Sequence, residues 1–522
     1  MKAIRALVAV CALVLTLSGS AAAGTSNDFA GYHTQVLPVY VVGGLTLGDL
    51  PQLASEGAVG LMVPNAGPHT NAASAFAGMV RGILYNTRLP RPHDTVLIRV
   101  RKVSSIPQHG PAIVVGLPPP LTTANGRRYP IAVIGRGYHG VLVSSLTRMP
   151  GVVSIADVAR TALQTPHALT ATPDRTPVTT LSRLESEITV ARSTTMPGSV
   201  LVLSLLVLIA LFYPRGAPTA LGAAVAVNLV EGWFPTGGAA PRVILLGLCT
   251  VAGGLFGPVF FRRQLVLAAG LVALVAAYTV SMVVRPWTLS LAPVGPELTS
   301  RFFGVSNLLE TWLLFPGLLG GALLTRRFGW SAFVAVGALT LATIAENALG
   351  ADGGGAIVVA VAFALLAVQL AGWPIRYSLP ALGVAALAVY ALLNLDASLS
   401  APNHLSGVLS GGWRGLEDVA ANRVPLAYDR AVEQWWLLIP AVPLLVVGTA
   451  AVRSAHDRVD GAVVVAVLGG LVASLLVNDS PGPVMIGGLT VLLAAENGLV
   501  HRTLAVPTLR RFALPVPVPL ER

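Results

Sequence analysis

Charge is the scarcest commodity in this chain of 522 residues: only 11% are Asp, Glu, Lys or Arg, and Lys2 and Lys102 are its only lysines. A soluble domain carries about 25% charged residues, so a fully solvated surface cannot be assembled from this composition. That shortage excludes a soluble enzyme, a disordered scaffold and a nucleic-acid binder. Cysteine is nearly absent too. Cys11 lies in an N-terminal apolar run and Cys249 in a later one, leaving no disulfide framework and no Cys metal site. Walker-type phosphate loops, HExxH, GxSxG and CxxC motifs are missing. Transport driven by ATP bound to this chain is therefore excluded as well.

What is present is apolar: 54% of residues are hydrophobic and the mean hydropathy is +0.73. The net charge of +11 is carried by arginines scattered between apolar runs, where they orient helices. Residues 1–24 read as a secretory signal, with Lys2 and Arg5 basic, Ala6 to Leu17 apolar, and small residues from Ser18 to Gly24. Residues 25–164 carry Pro, Gly, His and charge at the density of a soluble domain. Within them, β-type runs at 36–42, 95–103, 112–116 and 131–134 alternate with helical stretches at 47–56 and 72–84. The alternation predicts an α/β domain. Residues 165–196, rich in Thr, Pro and Ser, read as a linker.

From 197 to 500, apolar runs long enough for a hydrocarbon core of about 30 Å recur with centres near 206, 225, 251, 274, 314, 338, 363, 387, 443, 469 and 492. The expected fold class is a mainly α-helical polytopic membrane protein with about eleven spans and an N-terminal α/β extracytoplasmic domain. Alternate loops hold Arg215, Arg262, Arg263, Arg326, Arg327, Arg376, Arg453 and Arg458, and the tail 501–522 holds Arg502, Arg510 and Arg511. With the α/β domain outside, these loops and the tail are cytoplasmic. The outer loops 285–304 and 396–434 exceed what helix joining needs. An interfacial segment anchored by Trp435 and Trp436, or a lid over substrate, accounts for such length.

Two stretches carry a resemblance. Leu45-Thr-Leu-Gly-Asp-Leu-Pro-Gln-Leu-Ala-Ser-Glu-Gly-Ala-Val-Gly-Leu-Met62 resembles the opening of alkaline-phosphatase-superfamily domains, and the segment Met149 to Leu163 resembles their closing stretch. The resemblance implies a Ser or Thr nucleophile and two divalent metals, Zn or Mn, held by Asp and His. Thr70 falls roughly where the nucleophile would be. His69, His139 and Asp157 would act near a metal. Gly43-Gly44 stands where the family has its first metal-binding Asp, and Tyr138 replaces the Asp of its D-H-G motif. A shortened, catalytically silent domain follows from those departures.

Ionisable groups at bilayer depth face a cavity or pair internally. Glu310, Glu346 and Glu496 are placed deep by the span register, with Asn307, Asn347 and Asn497 as neutral partners, whereas Glu231, Asp352, Asp396 and Asp479 read as helix ends. Ala345-Glu-Asn347 echoes Ala495-Glu-Asn497, and the Asn478-Asp479 turn flanks an apolar run. Broken helices of that kind expose backbone groups to ions or anionic substrates, which adds Asp479 to the pathway. Three functions are compatible with this pattern. One is a bacterial envelope protein that moves or presents an amphipathic, lipid-linked substrate, its partners being membrane lipids and no cofactor being required. The others are a metal-dependent phosphotransferase or phosphohydrolase at the outer leaflet, and a non-catalytic assembly factor.

Overall fold

The computed structural model describes residues 36–67, 69–84, 98, 100–103, 110–165, 168–296, 298, 301–346, 349–350, 353–399, 428, 432, 435, 439, 441–454, 458–478 and 480–495. The expected signal and tail lie outside these residues, as does nearly all of the 396–434 loop.

The N-terminal part is built on an eight-stranded sheet. Its strands are β1 (Val39–Val42), β2 (Gly57–Val63), β4 (Val100–Val103), β5 (Ala112–Gly116), β7 (Tyr129–Ile134), β8 (Gly140–Val143), β9 (Val152–Ser154) and β10 (Thr170–Thr172). The spatial order is β10-β8-β2-β7-β5-β1-β4, with β9 also paired to β2, and β7 runs antiparallel to both its neighbours. A separate ribbon joins β3 (His69–Thr70) to β6 (Thr123–Ala124).

Successive side chains of a strand point to opposite faces, and both faces of this sheet are apolar. Ile113, Val115, Ile131 and Val133 face α2 (Ala72–Arg81) and α3 (Ala156–Ala162), contributing with Met79 and Val158 to one buried cluster. Val114, Ala132, Val59 and Leu61 face α1 (Leu50–Glu56), with Leu50 and Leu53. Leu181 belongs to that second cluster and is fully buried. It lies on α4 (Pro177–Phe212), a helix of 36 residues. Most of the expected linker 165–196 is therefore a strand and the start of this helix. Its Thr and Ser content misled because the polar face of α4 is solvated while Leu181, Ile188 and Ala191 are buried. The domain grips that helix through Arg128, whose Nε donates to Glu185 Oε2 at 2.6 Å and whose Nη2 donates to Thr189 Oγ1 at 3.1 Å.

A helix occupies each of the eleven expected centres. After α4 come α5 (Ala217–Trp233), α6 (Ala239–Phe260), α7 (Gln264–Val284), α8 (Asn307–Phe328), α9 (Trp330–Ala345), α10 (Gly353–Leu370) and α11 (Ser378–Leu399). The last described are α12 (Ala441–Ser454), α13 (Arg458–Val477) and α14 (Pro481–Ala495). Five of these helices, α4, α6, α7, α8 and α10, are long and apolar enough to cross a membrane. Small residues let them approach closely: Gly253 and Gly257 of α6 leave no room for a Cβ against Thr219 and Ala223 of α5.

The described residues of 285–306, which include the unusually long outer loop expected at 285–304, form a largely buried roof over one end of the bundle. Thr288, Leu289, Ser290, Val294 and Phe302 are all fully buried. Leu291, Leu298 and Phe302 share a cluster with Val63, Met149 and Val152 of the α/β domain and Ile188 of α4. Arg148 lies over the Phe303 ring at 3.9 Å. Domain and bundle thus meet through the roof as well as through α4.

Asp157 at the start of α3 is fully buried, its Oδ2 accepting from Ser144 Oγ at 2.7 Å and Ser154 N at 2.8 Å. Burial outweighs those hydrogen bonds and pushes its carboxyl up to about 6. A folded-state value above the unfolded one means that the proton favours the fold. The stabilisation is complete below the unfolded value and is lost as pH rises through about 6. Relative to wild type, Asp157→Asn is expected to flatten the pH dependence of melting between pH ~4 and ~7, a span on the order of 3 kcal/mol. Thermal unfolding across that pH range checks it; parallel pH profiles for the two proteins would refute it.

Candidate functional site

Side chains from two helices, α5 and α6, take up backbone groups of the roof, as an apolar interior requires. Asn228 on α5 donates through Nδ2 to Val294 O at 2.9 Å, and its Oδ1 accepts from Val294 N at 2.7 Å. The same Nδ2 donates to Tyr278 OH on α7, which in turn donates to Val225 O at 2.8 Å. Arg242, near the start of α6, donates to Leu291 O at 2.8 Å and to Thr236 O at 2.9 Å. Its Nε lies 3.7 Å from Glu231 Oε2, both side chains being 1% exposed. Glu231 also accepts from Thr236 N and Thr236 Oγ1.

Glu231 is therefore not the solvated helix end that its place in the sequence implied. It sits at the end of α5, but the roof covers that end and Arg242 compensates its charge. Asn228, Tyr278 and Arg242 escaped the sequence reading, since an isolated polar residue in an apolar run does not announce its partner 50 or 66 residues away.

The second polar centre is where α8 leaves the roof. Ser306 caps the helix by accepting from Leu309 N at 3.2 Å. Asn307 and Glu310 follow in the first turn, where the positive end of the helix dipole favours a carboxylate. Glu310 is fully buried, and its Oε2 accepts from Asn478 Nδ2 at 3.1 Å. Asn478, just beyond α13, donates through the same nitrogen to Ser474 Oγ at 2.8 Å. Asn307, half-buried, takes Thr311 Oγ1 on its carbonyl at 2.8 Å. A carboxylate at the start of one helix is thus held by an amide 168 residues on, and that amide also donates to the Ser474 hydroxyl. Such a centre can take up a proton or accept hydrogen bonds from a polar head group.

Glu346 is less buried than Glu310. It is the C-cap of α9, only half-buried, at the level where Val305 N donates to Gly350 O at 3.1 Å. The repeat suggested by Ala345 and Ala495 does not bring equivalent positions together. Ala345 ends α9 beside the roof, whereas α14 starts beside Asn478 and ends at Ala495, about 22 Å further along its axis. Asn347, Asp479, Glu496 and Asn497 lie outside the described residues.

In the α/β domain, Thr70 and His69 sit on β3 beyond the C-terminal end of β2, Thr70 buried and His69 exposed. His139 is exposed and immediately precedes Gly140, which pairs with Ala58 at the opposite end of β2. Seven residues of strand rising about 3.3 Å each separate those ends. The two histidines are not brought together. Among the described residues, no group of three His, Cys, Asp or Glu side chains is placed to hold a metal ion. Asp157 is committed to Ser144 and Ser154.

Breaking a buried pair leaves the remaining charge uncompensated, at a cost of about 3 kcal/mol or more. Arg242→Met is expected to lower the melting temperature of the full chain sharply, and adding Glu231→Gln to recover part of the loss. Equal destabilisation by the single and double variants would contradict the pairing. Comparison of the chain with known families, curated proteins and solved structures yields no match.

Proposed function

We propose that this chain is an eleven-span protein of a bacterial cytoplasmic membrane, its α/β domain outside, that moves or presents an amphipathic, lipid-linked substrate. The supporting observation is Glu310: a fully buried carboxylate held by Asn478 across two helices of an apolar bundle. Ionisable groups so placed are expensive and mark substrate or ion pathways. The exposed arginines Arg215, Arg262, Arg263, Arg326, Arg327 and Arg376 occupy the helix junctions away from the roof, the distribution expected of a cytoplasmic face. Helices shorter than 18 residues, such as α9 and α14, cross by local thinning of the bilayer.

In this reading the head group engages the Glu310–Asn478–Ser474 centre while the lipid tail follows the outer surface of the bundle. The phosphotransferase alternative finds less support. Its metal ligands His69 and His139 stand at opposite ends of the sheet, whereas two-metal chemistry needs the ions about 4 Å apart.

The test is lipid movement by purified protein in vesicles containing a phospholipid whose head-group dye is bleached by dithionite. Wild type is expected to let bleaching proceed beyond the outer-leaflet fraction. Glu310→Gln, nearly isosteric and equally folded by thermal unfolding, is expected to slow this about tenfold, the rate equivalent of roughly 1.4 kcal/mol. Wild-type vesicles that bleach no further than empty ones, or an unimpaired variant, would sink the proposal.

A further inference from the structure

A third polar centre lies in the α/β domain, and neither the roof nor Glu310 uses it. Asn65 follows β2 and is fully buried; its Nδ2 donates to Ser74 Oγ at 2.6 Å. Ser74 also takes Asn71 N at 3.2 Å and returns its own proton to Asn71 O at 3.0 Å, so it has no role left to offer. This is the capping turn of α2, whose N-cap is Asn71. Two polar atoms around that turn have no hydrogen-bond partner: Asn65 Oδ1 and Thr70 Oγ1, on residues 0% and 1% exposed. A buried polar atom left unpaired costs about 1–3 kcal/mol, and the C-terminal edge of a sheet is where α/β domains take their ligands.

The two atoms define the missing chemistry. Asn65 Oδ1 accepts only, so it calls for a donor and disfavours a phosphate oxygen. Thr70 Oγ1 can donate or accept. A hydroxyl group has the chemistry both call for: a proton to give to Asn65 and lone pairs to receive that of Thr70. Thr70 belongs to the β3–β6 ribbon, which consists of two residue pairs and exposes His69, Thr123 and Ala124. A two-stranded ribbon alone is marginally stable.

The position of this edge names the source of the hydroxyl. Val63, at the C-terminal end of β2, packs with the roof residues Leu291 and Phe302, so the edge faces the bundle. The chain also descends along α4 towards that side: Arg128 contacts Glu185 and Thr189, and Arg192 Nη1 then donates to Asn125 O at 2.5 Å. Arg192 is five residues before Pro197, about 7.5 Å above the proposed start of the span. Leu121 is four residues before Asn125, a reach of up to about 13 Å. It is 80% exposed at the tip of a loop that closes on α2 through Pro119 O to Ala72 N at 3.0 Å and Asn71 Nδ2 to Thr122 Oγ1 at 3.2 Å. An exposed leucine on the loop that contacts this capping turn, within reach of the proposed bilayer surface, fits a lipid whose head group carries hydroxyls.

We infer that the bundle-facing edge of the α/β domain binds the neutral, polyhydroxylated head group of a lipid, with Asn65 and Thr70 holding one hydroxyl and Leu121 contacting the lipid's apolar part. The inference rests on the proposed membrane placement, but not on substrate movement.

The experiment is native mass spectrometry of the full chain released from phosphatidylcholine nanodiscs containing monoglucosyl diacylglycerol or phosphatidic acid. Free glucose is added to plain nanodiscs as a separate arm. Glucolipid is expected to be retained in preference to phosphatidic acid. Thr70→Val is expected to reduce retention about fivefold, as for one lost hydrogen bond, and Thr70→Ser to restore it. Leu121→Asn should weaken glucolipid but not glucose, which separates a lipid head group from a free sugar. Preferential retention of phosphatidic acid, equal retention by Thr70→Val and wild type, or no glucolipid retention overturns the inference. Should Thr70→Val fail to fold, Leu121→Asn and Thr70→Ser decide it alone. Retention is read without transport, so its failure is distinguishable from failure of the Glu310 flux assay.

Discussion

An apolar bundle contains no water to satisfy backbone amides, so an irregular segment at its end survives only where side chains supply the missing partners. The described residues of the roof meet that condition through Asn228 and Arg242, with Tyr278 in turn taking an amide hydrogen of Asn228. Much else depends on it. The roof delivers the chain to Ser306, which starts α8 and sets Glu310 in its first turn. It also presents Leu291, Leu298 and Phe302 to the α/β domain. Two residues at this junction, Arg148 and Leu298, adopt positive φ, a conformation that non-glycine residues hold only where surrounding contacts enforce it.

Helix α4 is the other shared part. Its N-terminal half is the layer that covers one face of the sheet through Leu181, and its C-terminal half packs in the bundle through Val202 and Leu206. Pro197 sits between them and removes one backbone hydrogen bond. Ser199 spends its hydroxyl on the carbonyls of Thr195 and Met196 at the same place, a local bond that can bend a helix. The domain is thus held from two sides, with the most adaptable part of α4 at the boundary.

These arrangements give the proposed functions a common geometry. Glu310 lies in the first turn of the helix that leaves the roof, and Asn65 follows the strand whose last residue, Val63, packs on the roof. A head group bound by the domain and one engaged by the bundle would both lie near the roof. The chemistry of the two differs: one is an ionisable carboxylate, the other a neutral amide oxygen and a hydroxyl.

Much of the architecture was legible in the residues alone. Strands β1, β4, β5 and β7 and helices α1 and α2 follow from short-range alternation, and a helix stands at every predicted apolar centre. These features are local, since periodicity and hydropathy act within one element. The candidate site was legible only in part. Glu310 stood out because a carboxylate in an apolar run is costly wherever it lies, and Asn478 for its turn, but nothing marked the two as partners. Glu231 is more buried than Glu346 because burial depends on what covers a helix end, not on distance along the helix. The sequence by itself determined which segments are helices and strands and which are apolar. Tertiary structure alone decided that 177–196 is a layer of the domain, that 285–306 is a buried roof, and which acid is paired, because each depends on contacts between residues far apart in the chain.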